Sequence, residues 1–325
     1  MHAGVRLGVM VPPADLSLAA QRELVRELES LGYDDLWVGE IDDADAIATL
    51  TLAALDTERM RVGSAVLPVF TRGPAVLATT AAMLADLAPG RFVLGLGASS
   101  PAIVEQWNGL RFERPRARTR DVVRFVRAAL AGERVDEDFE TFSSHGFRLA
   151  RPPKIIPPVL VAGLRPAMLH VARDEADGAI VNWCSAEDVT RLRAEIGREQ
   201  ELVVRLFVCP STDADAVRAL ARRQITGYLT VPPYAAFQRW VGRGPALEPM
   251  WEAWAAGDRR GALAAVPDRV VDDLVVHGDP AECAEHLARF AEHGATSLAL
   301  TVLDGVIGPA EAFVALAPEL RTISR

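Results

Sequence analysis

Residues 91–100 read RFVLGLGASS, an apolar run that ends in Gly95 and Gly97 and passes into small residues. A short apolar run bounded by turn residues predicts a strand buried on both faces of a parallel sheet. The two glycines allow a sharp turn and a close approach of a ligand to the backbone. The stretch therefore predicts a strand whose carboxyl end can hold a flat or phosphorylated group, provided that similar strand ends surround it.

Predicted strands of this kind alternate with predicted helices along the whole chain. The strands are expected at 5–11, 35–39, 60–69, 91–97, 158–162, 178–182, 202–209 and 297–302, and the helices at 17–31, 44–55, 74–87, 102–107, 116–131, 166–174, 186–196, 280–293 and 309–320. Alternating strands and helices imply an α/β fold with a parallel sheet. Because the eight strands are short and evenly distributed, we predict a closed (β/α)8 TIM barrel in preference to an open doubly wound sheet.

We predict a single domain over residues 1–325 with two interruptions. Residues 133–153 carry polar, aromatic and glycine residues, which indicate an excursion with a short hairpin. Residues 228–270 indicate a helical insertion. Neither segment contains a motif that indicates a chemistry, and we expect these two segments to select the substrate.

Composition argues against several classes of function. The formal net charge of -9 disfavours a general nucleic-acid partner, since phosphate binding favours basic stripes. No apolar run approaches the ~18 residues of a membrane span, and the first residues lack the layout of a signal peptide. Cys184, Cys209 and Cys283 are too few and too far apart for a disulfide framework or a zinc site. We expect a cytoplasmic protein without a metal, whose partner is a small molecule.

The carboxyl ends of the predicted strands supply the candidate site, because active sites of such barrels lie there. These ends contain Glu40, residues 64–68, 97–100, 162–165 and 182–184, and Cys209. They hold few strong acids, bases or metal ligands and many small residues and backbone donors. A site of this composition predicts a large planar cofactor that supplies the chemistry.

Several segments resemble the luciferase-like flavin and deazaflavin oxidoreductases. Residues 61–74, RVGSAVLPVFTRGP, resemble the third-strand motif of that family, and the resemblance continues through residues 90–100, 107–109, 158–183 and 277–300. It therefore covers nearly the whole chain in the family's order. The resemblance implies a (β/α)8 barrel of the bacterial luciferase-like type with an insertion before the seventh helix. It also implies a homodimer that pairs through the helices at 44–55 and 74–87.

The resemblance implies a cofactor as well. The compact chain and the short GLGASS form look more like the branch that uses the deazaflavin coenzyme F-420 than like the FMN-dependent monooxygenases. In the family a ring of this kind lies against a bulge of the third strand, at a non-proline cis peptide whose counterpart here is Ala65–Val66. The implied cofactor-binding residues are Ser64, Ala65 and Val66 at the ring, Gly97, Ala98, Ser99 and Ser100 at the ribityl or phosphate part, and Ala162, Gly163, Leu164 and Arg165 at the phosphate.

The residues around the second and fourth strands bear on the reaction. Several deazaflavin enzymes carry Asp-His after the second strand, whereas this chain has Glu40 and Ile41. The missing imidazole disfavours a sugar-phosphate dehydrogenase. The absence of this imidazole is compatible with a reductase, which needs a hydride and one proton source, either Glu40 or water. The alternative to a catalytic role for Glu40 is a carboxylate held in an ion pair. Trp107, Asn108 and Asn182 are the predicted substrate residues, and a packing role for Trp107 remains open.

The resulting hypothesis is an oxidoreductase that transfers a hydride between coenzyme F-420 and a small organic substrate, as a C=C or C=N reductase. One alternative is an FMN-dependent luciferase-like monooxygenase with the same pocket. An alternative of another class is a non-catalytic flavin- or deazaflavin-binding protein. A cofactor-free hydrolase is disfavoured, because the strand ends contain no carboxylate pair and no histidine cluster.

Overall fold

The computed structural model describes residues 4–11, 16–43 and 45–323. These residues form two compact units. The N-terminal unit consists of the described residues of 8–180 together with 195–201, and the C-terminal unit consists of 4–7, 181–194 and 202–323. Residue 44, where one predicted helix begins, lies outside the described residues.

Strands and helices alternate along the described chain. The strands are β1 (Arg6–Met10), β2 (Asp35–Val38), β3 (Arg61–Ser64), β4 (Leu67–Pro68), β5 (Phe92–Gly97), β6 (Val135–Asp138), β7 (Ser143–Phe147), β8 (Val159–Ala162), β9 (Gly178–Asn182), β10 (Glu201–Cys209), β11 (Val275–His277) and β12 (Ser297–Val302). The α-helices are α1 (Leu18–Leu31), α2 (Ala46–Asp56), α3 (Pro74–Leu87), α4 (Pro115–Leu130), α5 (Pro166–Glu175), α6 (Ala186–Ile196), α7 (Ala214–Leu229), α8 (Pro232–Trp240), α9 (Gly244–Ala255), α10 (Arg259–Ala264), α11 (Asp268–Leu274), α12 (Pro280–Glu292) and α13 (Pro309–Leu320). A π-helix, Ala102–Trp107, follows β5.

Most predicted elements lie within two residues of their predicted bounds. The hairpin of β6 and β7 lies inside the predicted excursion, and α8, α9 and α10 lie inside the predicted helical insertion. Four differences stand out. The strand predicted at 60–69 is divided into β3 and β4. The helix α7 was not predicted, nor was α11, most of which lies beyond the predicted insertion. The short strand β11 was not predicted either.

Local sequence explains where several helices begin and end. Ser17 caps α1 by accepting the Ala20 N–H, and Gly32 ends that helix in the left-handed region at a φ of 97°. Pro74 begins α3, where its missing N–H has no cost. Asp279 opens α12 with a capping box.

Parallel strands form the sheet of the N-terminal unit. Their order is β1, β2, β3, β5, β8 and β9, and β4 also pairs with β5. Because all these strands run in the same direction, their carboxyl ends lie at one edge of the sheet. The loops that carry most of the predicted site therefore leave the sheet at that edge.

An ion cluster lies at the amino ends of this unit's strands. Arg61 Nη2 is 2.7 Å from Asp35 Oδ2 and 2.6 Å from Glu201 Oε1. Asp35 is fully buried. Burial alone would lower the pKa of Arg61, but the two carboxylates raise it above its ordinary value. Arg61 thus compensates the charge of a carboxylate that water does not reach.

In the C-terminal unit, β10 pairs in parallel with β12 and with β11. The helices of the insertion are held to this unit by a core of buried apolar side chains. Its members include Trp183, Phe207, Ile225, Leu229, Leu247, Met250, Trp251 and Val271. The insertion is therefore a packed part of the unit rather than a loosely attached segment.

Candidate functional site

The third strand carries a bulge at the residues that the resemblance assigned to the cofactor ring. Gly63 pairs with Val93, and Leu67 pairs with Leu96. Leu67 is four residues after Gly63, whereas Leu96 is only three residues after Val93, so the segment β3–β4 contains one extra residue. The extra residue interrupts the strand between these pairs. The peptide bond Ala65–Val66 is cis, which confirms the expectation from the resemblance.

Ser64 shapes this bulge from inside the sheet. Its hydroxyl accepts a hydrogen bond from the Gly95 N–H and donates one to the Gly95 carbonyl oxygen, both at 2.9 Å. A Cβ at Gly95 would lie 2.0 Å from the Ser64 carbonyl oxygen, so only glycine fits there. Ser64 has no exposed surface. It therefore supports the bulge and offers no exposed atom to a ligand.

Three neighbouring strand ends meet beside the bulge. A Cβ built on Gly97 would lie 2.6 Å from Val66 Cγ2 and 3.2 Å from the Ala162 Cβ, so these three residues adjoin one another. Val66, Ala98 and Ala162 are half-buried. Gly97 is itself buried, with Val66 and Ala162 packed against it, so the half-buried side chains of those two residues form a shallow surface. A flat ring fits a surface of this kind, and we call it the strand-end surface (Val66, Gly97, Ala162).

The chain leaves β5 through a constrained turn. Ser99 adopts the left-handed region at a φ of 66°. The π-helix follows, and the Ser100 carbonyl oxygen accepts the Val104 N–H at 2.9 Å. A π-helix is rare and occurs often at functional sites. The predicted residues Ala98, Ser99 and Ser100 therefore lie in a fixed turn at the edge of the strand-end surface.

The end of β8 corrects one part of the phosphate prediction. The Gly163 N–H donates to the Ile180 carbonyl oxygen at 3.1 Å, so this donor is already used within the sheet. Leu164 is half-buried, and its N–H has no acceptor among the described residues. Arg165 is exposed and precedes α5, and no carboxylate pairs with it in the described part of the chain. Leu164 and Arg165 remain as the donors of the predicted phosphate contact.

Glu40 lies in an ion pair, which was the alternative left open for it. Arg72 donates to Glu40 Oε1 through Nε at 2.8 Å and to Oε2 through Nη2 at 2.6 Å. Arg72 also contacts Asp45 at 2.8 Å. The hydrogen bond to Glu40 is the main reason that the pKa of Arg72 is raised above its ordinary value. To donate a proton to a substrate, Glu40 has to release this guanidinium.

The ion pair forms part of the wall of an open cavity of about 400 Å³. The cavity is lined by Glu40, Ile41, Pro68, Thr71, Arg72, Gly73, Val76, Ile103 and Asn108. Asn108 is fixed by its side-chain amide, which donates to the Ile103 carbonyl oxygen at 2.7 Å. The structure therefore brings Glu40 and Asn108 to one cavity. Trp107 is 55% exposed and is not among the lining residues, so its substrate role stays a prediction.

Asn182, the remaining predicted substrate residue, belongs to the C-terminal unit. It ends β9, and its amide donates to the Tyr234 hydroxyl at 3.3 Å. Sequence reasoning missed Tyr234, and it also missed Arg72 as the partner of Glu40. The only signal for Arg72 was an arginine in the third-strand motif, close before Pro74.

The described residues contain no group of three or more His, Cys, Asp or Glu side chains that could hold a metal ion. Cys184, Cys209 and Cys283 are buried and unpaired by disulfides. Burial raises the pKa of the Cys209 thiol to about 11 and that of Cys283 to about 12. Within the same described ranges, no helix is both long and apolar enough to span a membrane.

Comparison with known proteins identifies relatives along the whole chain. A family model described as luciferase-like monooxygenase matches residues 2–297. The chain is 29% identical over 317 residues to a 5,10-methylenetetrahydromethanopterin reductase of Methanolobus tindarius, covering 93% of this chain and 94% of that protein.

Two solved structures are similar to this one. The coenzyme F-420-dependent tetrahydromethanopterin reductase of Methanopyrus kandleri has a TM-score of 0.83 at 20% identity, covering 99% of this chain and 100% of that chain. An F-420-dependent secondary alcohol dehydrogenase, in complex with an F-420–acetone adduct, has a TM-score of 0.78 at 17% identity, covering 98% of this chain and 99% of that chain. These similarities confirm the predicted fold, a (β/α)8 TIM barrel.

Proposed function

The chain belongs to the luciferase-like monooxygenase family, and we propose that it is an oxidoreductase that transfers a hydride between coenzyme F-420 and a small organic substrate. We propose a C=C or C=N bond as the group that is reduced. The coenzyme when bound in its reduced form supplies the hydride from C5, and the substrate takes up this hydride and one proton. The named relatives that use F-420 support the choice of cofactor.

The observation that carries the proposal is the strand-end surface. Gly97 is buried and allows Val66 and Ala162 to pack closely over one strand end, and any side chain at that position would collide with Val66. The residues here have no acid or base of their own, so they bind and orient a flat group rather than react with it. Leu164 and Arg165 would hold an anionic part of the same cofactor.

The proton has two possible sources at the cavity. Glu40 is held by Arg72, so proton donation from Glu40 requires the ion pair to open. Water can enter the open cavity without any such change. We therefore propose water as the proton source and assign the Glu40–Arg72 pair to the shape and charge of the cavity wall.

We also propose that the protein is a cytoplasmic homodimer. Leu55 of α2 and Val76 and Met83 of α3 are 62%, 55% and 48% exposed, and these two helices are those that the resemblance assigns to the dimer interface. Burying such apolar side chains between two copies is favourable. Light scattering at micromolar concentration should give the mass of a dimer, and a monomeric mass would contradict this part of the proposal.

The test of the function is a titration of the purified apoprotein with F-420 and, separately, with FMN. We expect micromolar binding of F-420 and at least tenfold weaker binding of FMN. Binding of FMN without binding of F-420, together with oxygen consumption driven by reduced FMN, would instead establish a monooxygenase. Binding of F-420 without turnover of any acceptor would establish a non-catalytic carrier.

A matched pair of glycine variants tests the location. Gly97→Ala places a methyl group 2.6 Å from Val66 Cγ2 and 3.2 Å from the Ala162 Cβ, so Val66 has to move and the shape of the surface changes. We expect it to weaken F-420 binding at least tenfold, with circular dichroism showing that the variant still folds. Gly227→Ala is the control, since a Cβ there meets nothing within 4 Å. Unchanged F-420 affinity in Gly97→Ala would remove the strand-end surface from the site.

A further inference from the structure

Arg205 is an arginine on β10 whose charge has no carboxylate partner among the described residues. Its Nε donates to Thr301 Oγ1 at 3.1 Å, and its Cζ lies 5.0 Å from the centre of the Phe207 ring. The N–H groups of Nη1 and Nη2 have no protein acceptor within the described ranges. Arg205 therefore has most of its hydrogen-bonding capacity unused.

Two other half-buried arginines of the C-terminal unit are paired with carboxylates. Arg218 binds Asp272 at 2.8 Å, and Arg243 contacts Asp188 at 2.5 Å. Arg205 is half-buried on a strand of the sheet, where desolvation of an unpaired charge is costly. An anion that comes from outside the chain would remove that cost.

The guanidinium of Arg205 leans toward the carboxyl ends of the strands. In the β10–β12 pairing, Arg205 lies opposite Ala299, whereas the hydroxyl that it reaches belongs to Thr301, two residues further along β12. Active sites of (β/α)8 barrels lie at that end. The side chain therefore points along its strand toward the end at which substrates bind.

A chain of aromatic rings in the same unit leads from Arg205 to Asn182 and Tyr234. The Tyr234 hydroxyl accepts from Asn182, and Tyr234 packs edge-on against Tyr228 at 5.6 Å between ring centres. Tyr228 in turn lies 6.3 Å from Phe207, between ring centres, and Arg205 lies over that Phe207 ring, so contacts between aromatic rings connect Arg205 to Tyr234. Burial raises the pKa of Tyr234. Tyr234 thus stays protonated at neutral pH and can donate a hydrogen bond.

On the basis of the proposed function, we propose that Arg205, Asn182 and Tyr234 form a subsite that binds a carboxylate group of the substrate. The Nη1 and Nη2 edge of a guanidinium matches the two oxygens of a carboxylate. Tyr234 adds an O–H donor, and Phe207 supplies an apolar side for the organic part. The substrates would then be unsaturated or imino acids, and this subsite would determine specificity.

Calorimetric titration with benzoate, a planar carboxylate, tests the subsite without knowledge of the natural substrate. Benzamide is the neutral counterpart of the same shape, and phenyl phosphate is the alternative anion. We expect benzoate to bind at least tenfold more tightly than benzamide and more tightly than phenyl phosphate. Arg205→Met, which keeps an apolar stem, should weaken benzoate binding at least tenfold and leave benzamide unchanged.

The matched control is Arg191→Met. Arg191 also lies over an aromatic ring, that of Trp240 at 5.5 Å, but it is exposed and outside the subsite. This variant makes the same change in net charge, and we expect it to bind benzoate like the wild type. Undiminished benzoate binding by Arg205→Met, absence of charge-dependent binding by the wild type, or a preference for phenyl phosphate would each overturn the inference.

The same samples are titrated with F-420 to separate the two proposals. Failure of the wild type to bind F-420 would refute the proposed function, whatever benzoate does. Weaker F-420 binding by Arg205→Met with unchanged benzoate binding would make Arg205 a cofactor residue and would overturn the carboxylate subsite alone.

Discussion

Replacement of Ser64 by alanine removes one hydroxyl that serves two backbone groups of β5. That hydroxyl accepts from the Gly95 N–H and donates to the Gly95 carbonyl oxygen at 2.9 Å. Ser64 has no exposed surface, so water cannot take the place of the lost oxygen without a rearrangement of the sheet. The variant therefore leaves a buried donor and a buried acceptor without a partner.

The size of the effect follows from these two groups. An unsatisfied buried donor or acceptor costs about 1–3 kcal/mol. The Gly95 carbonyl oxygen has two lone pairs, and one of them can still accept a hydrogen bond from another donor. The cost of losing the Ser64 hydroxyl at this oxygen therefore lies at the lower end of that range. We expect Ser64→Ala to lower the free energy of unfolding by about 2–4 kcal/mol.

Urea denaturation followed by circular dichroism measures this change. Ser30→Ala is the control, because the Ser30 hydroxyl makes a single hydrogen bond to the Glu27 carbonyl oxygen on the exposed side of α1. The control should change the free energy of unfolding by no more than about 0.5 kcal/mol. A loss below about 1 kcal/mol in Ser64→Ala, equal to one ordinary hydrogen bond, would refute the view that this hydroxyl replaces strand pairing at the bulge.

Three further predictions concern charged groups. Glu40→Gln should alter kcat by less than tenfold, because water supplies the proton; a loss of about 10²-fold or more in steady-state assays, the size expected for a general acid, would instead make Glu40 the donor. Arg61→Met should lower the free energy of unfolding in urea by about 3–5 kcal/mol, because the buried carboxylate of Asp35 loses its ion pair with Arg61. The hydrogen bond from Arg22 lowers the pKa of Asp56. The ionised Asp56 carboxylate therefore stabilises the fold above about pH 4, and this stabilisation is lost as the pH falls through the pKa of Asp56 in the folded state. Urea midpoints measured at decreasing pH should fall less steeply in Asp56→Asn than in the wild type.

The sequence was informative where the signal is local. Apolar runs such as 92–97 and the proline at the start of α3 place elements within two residues, because burial and caps depend on neighbours in the chain. The bulge between β3 and β4 was not predicted as a break. Ala65 and Val66 are as apolar as the strand on either side, so the pattern of hydrophobic residues does not change there.

The parts of the site that depend on distant pairs could not be predicted. Nothing in the sequence shows that Arg72 turns back to Glu40 or that Ile180 takes the N–H of Gly163. These contacts join residues that only the fold brings together. Arg205 could not be predicted either, because a missing carboxylate partner can be recognised only once the surroundings of the side chain are known.

The ion cluster of Arg61, Asp35 and Glu201 has a consequence for protein engineering. These residues begin β3, β2 and β10, at the end of the strands away from the candidate site. A library that randomises the loops after the strands would leave this cluster, and its contribution to stability, intact.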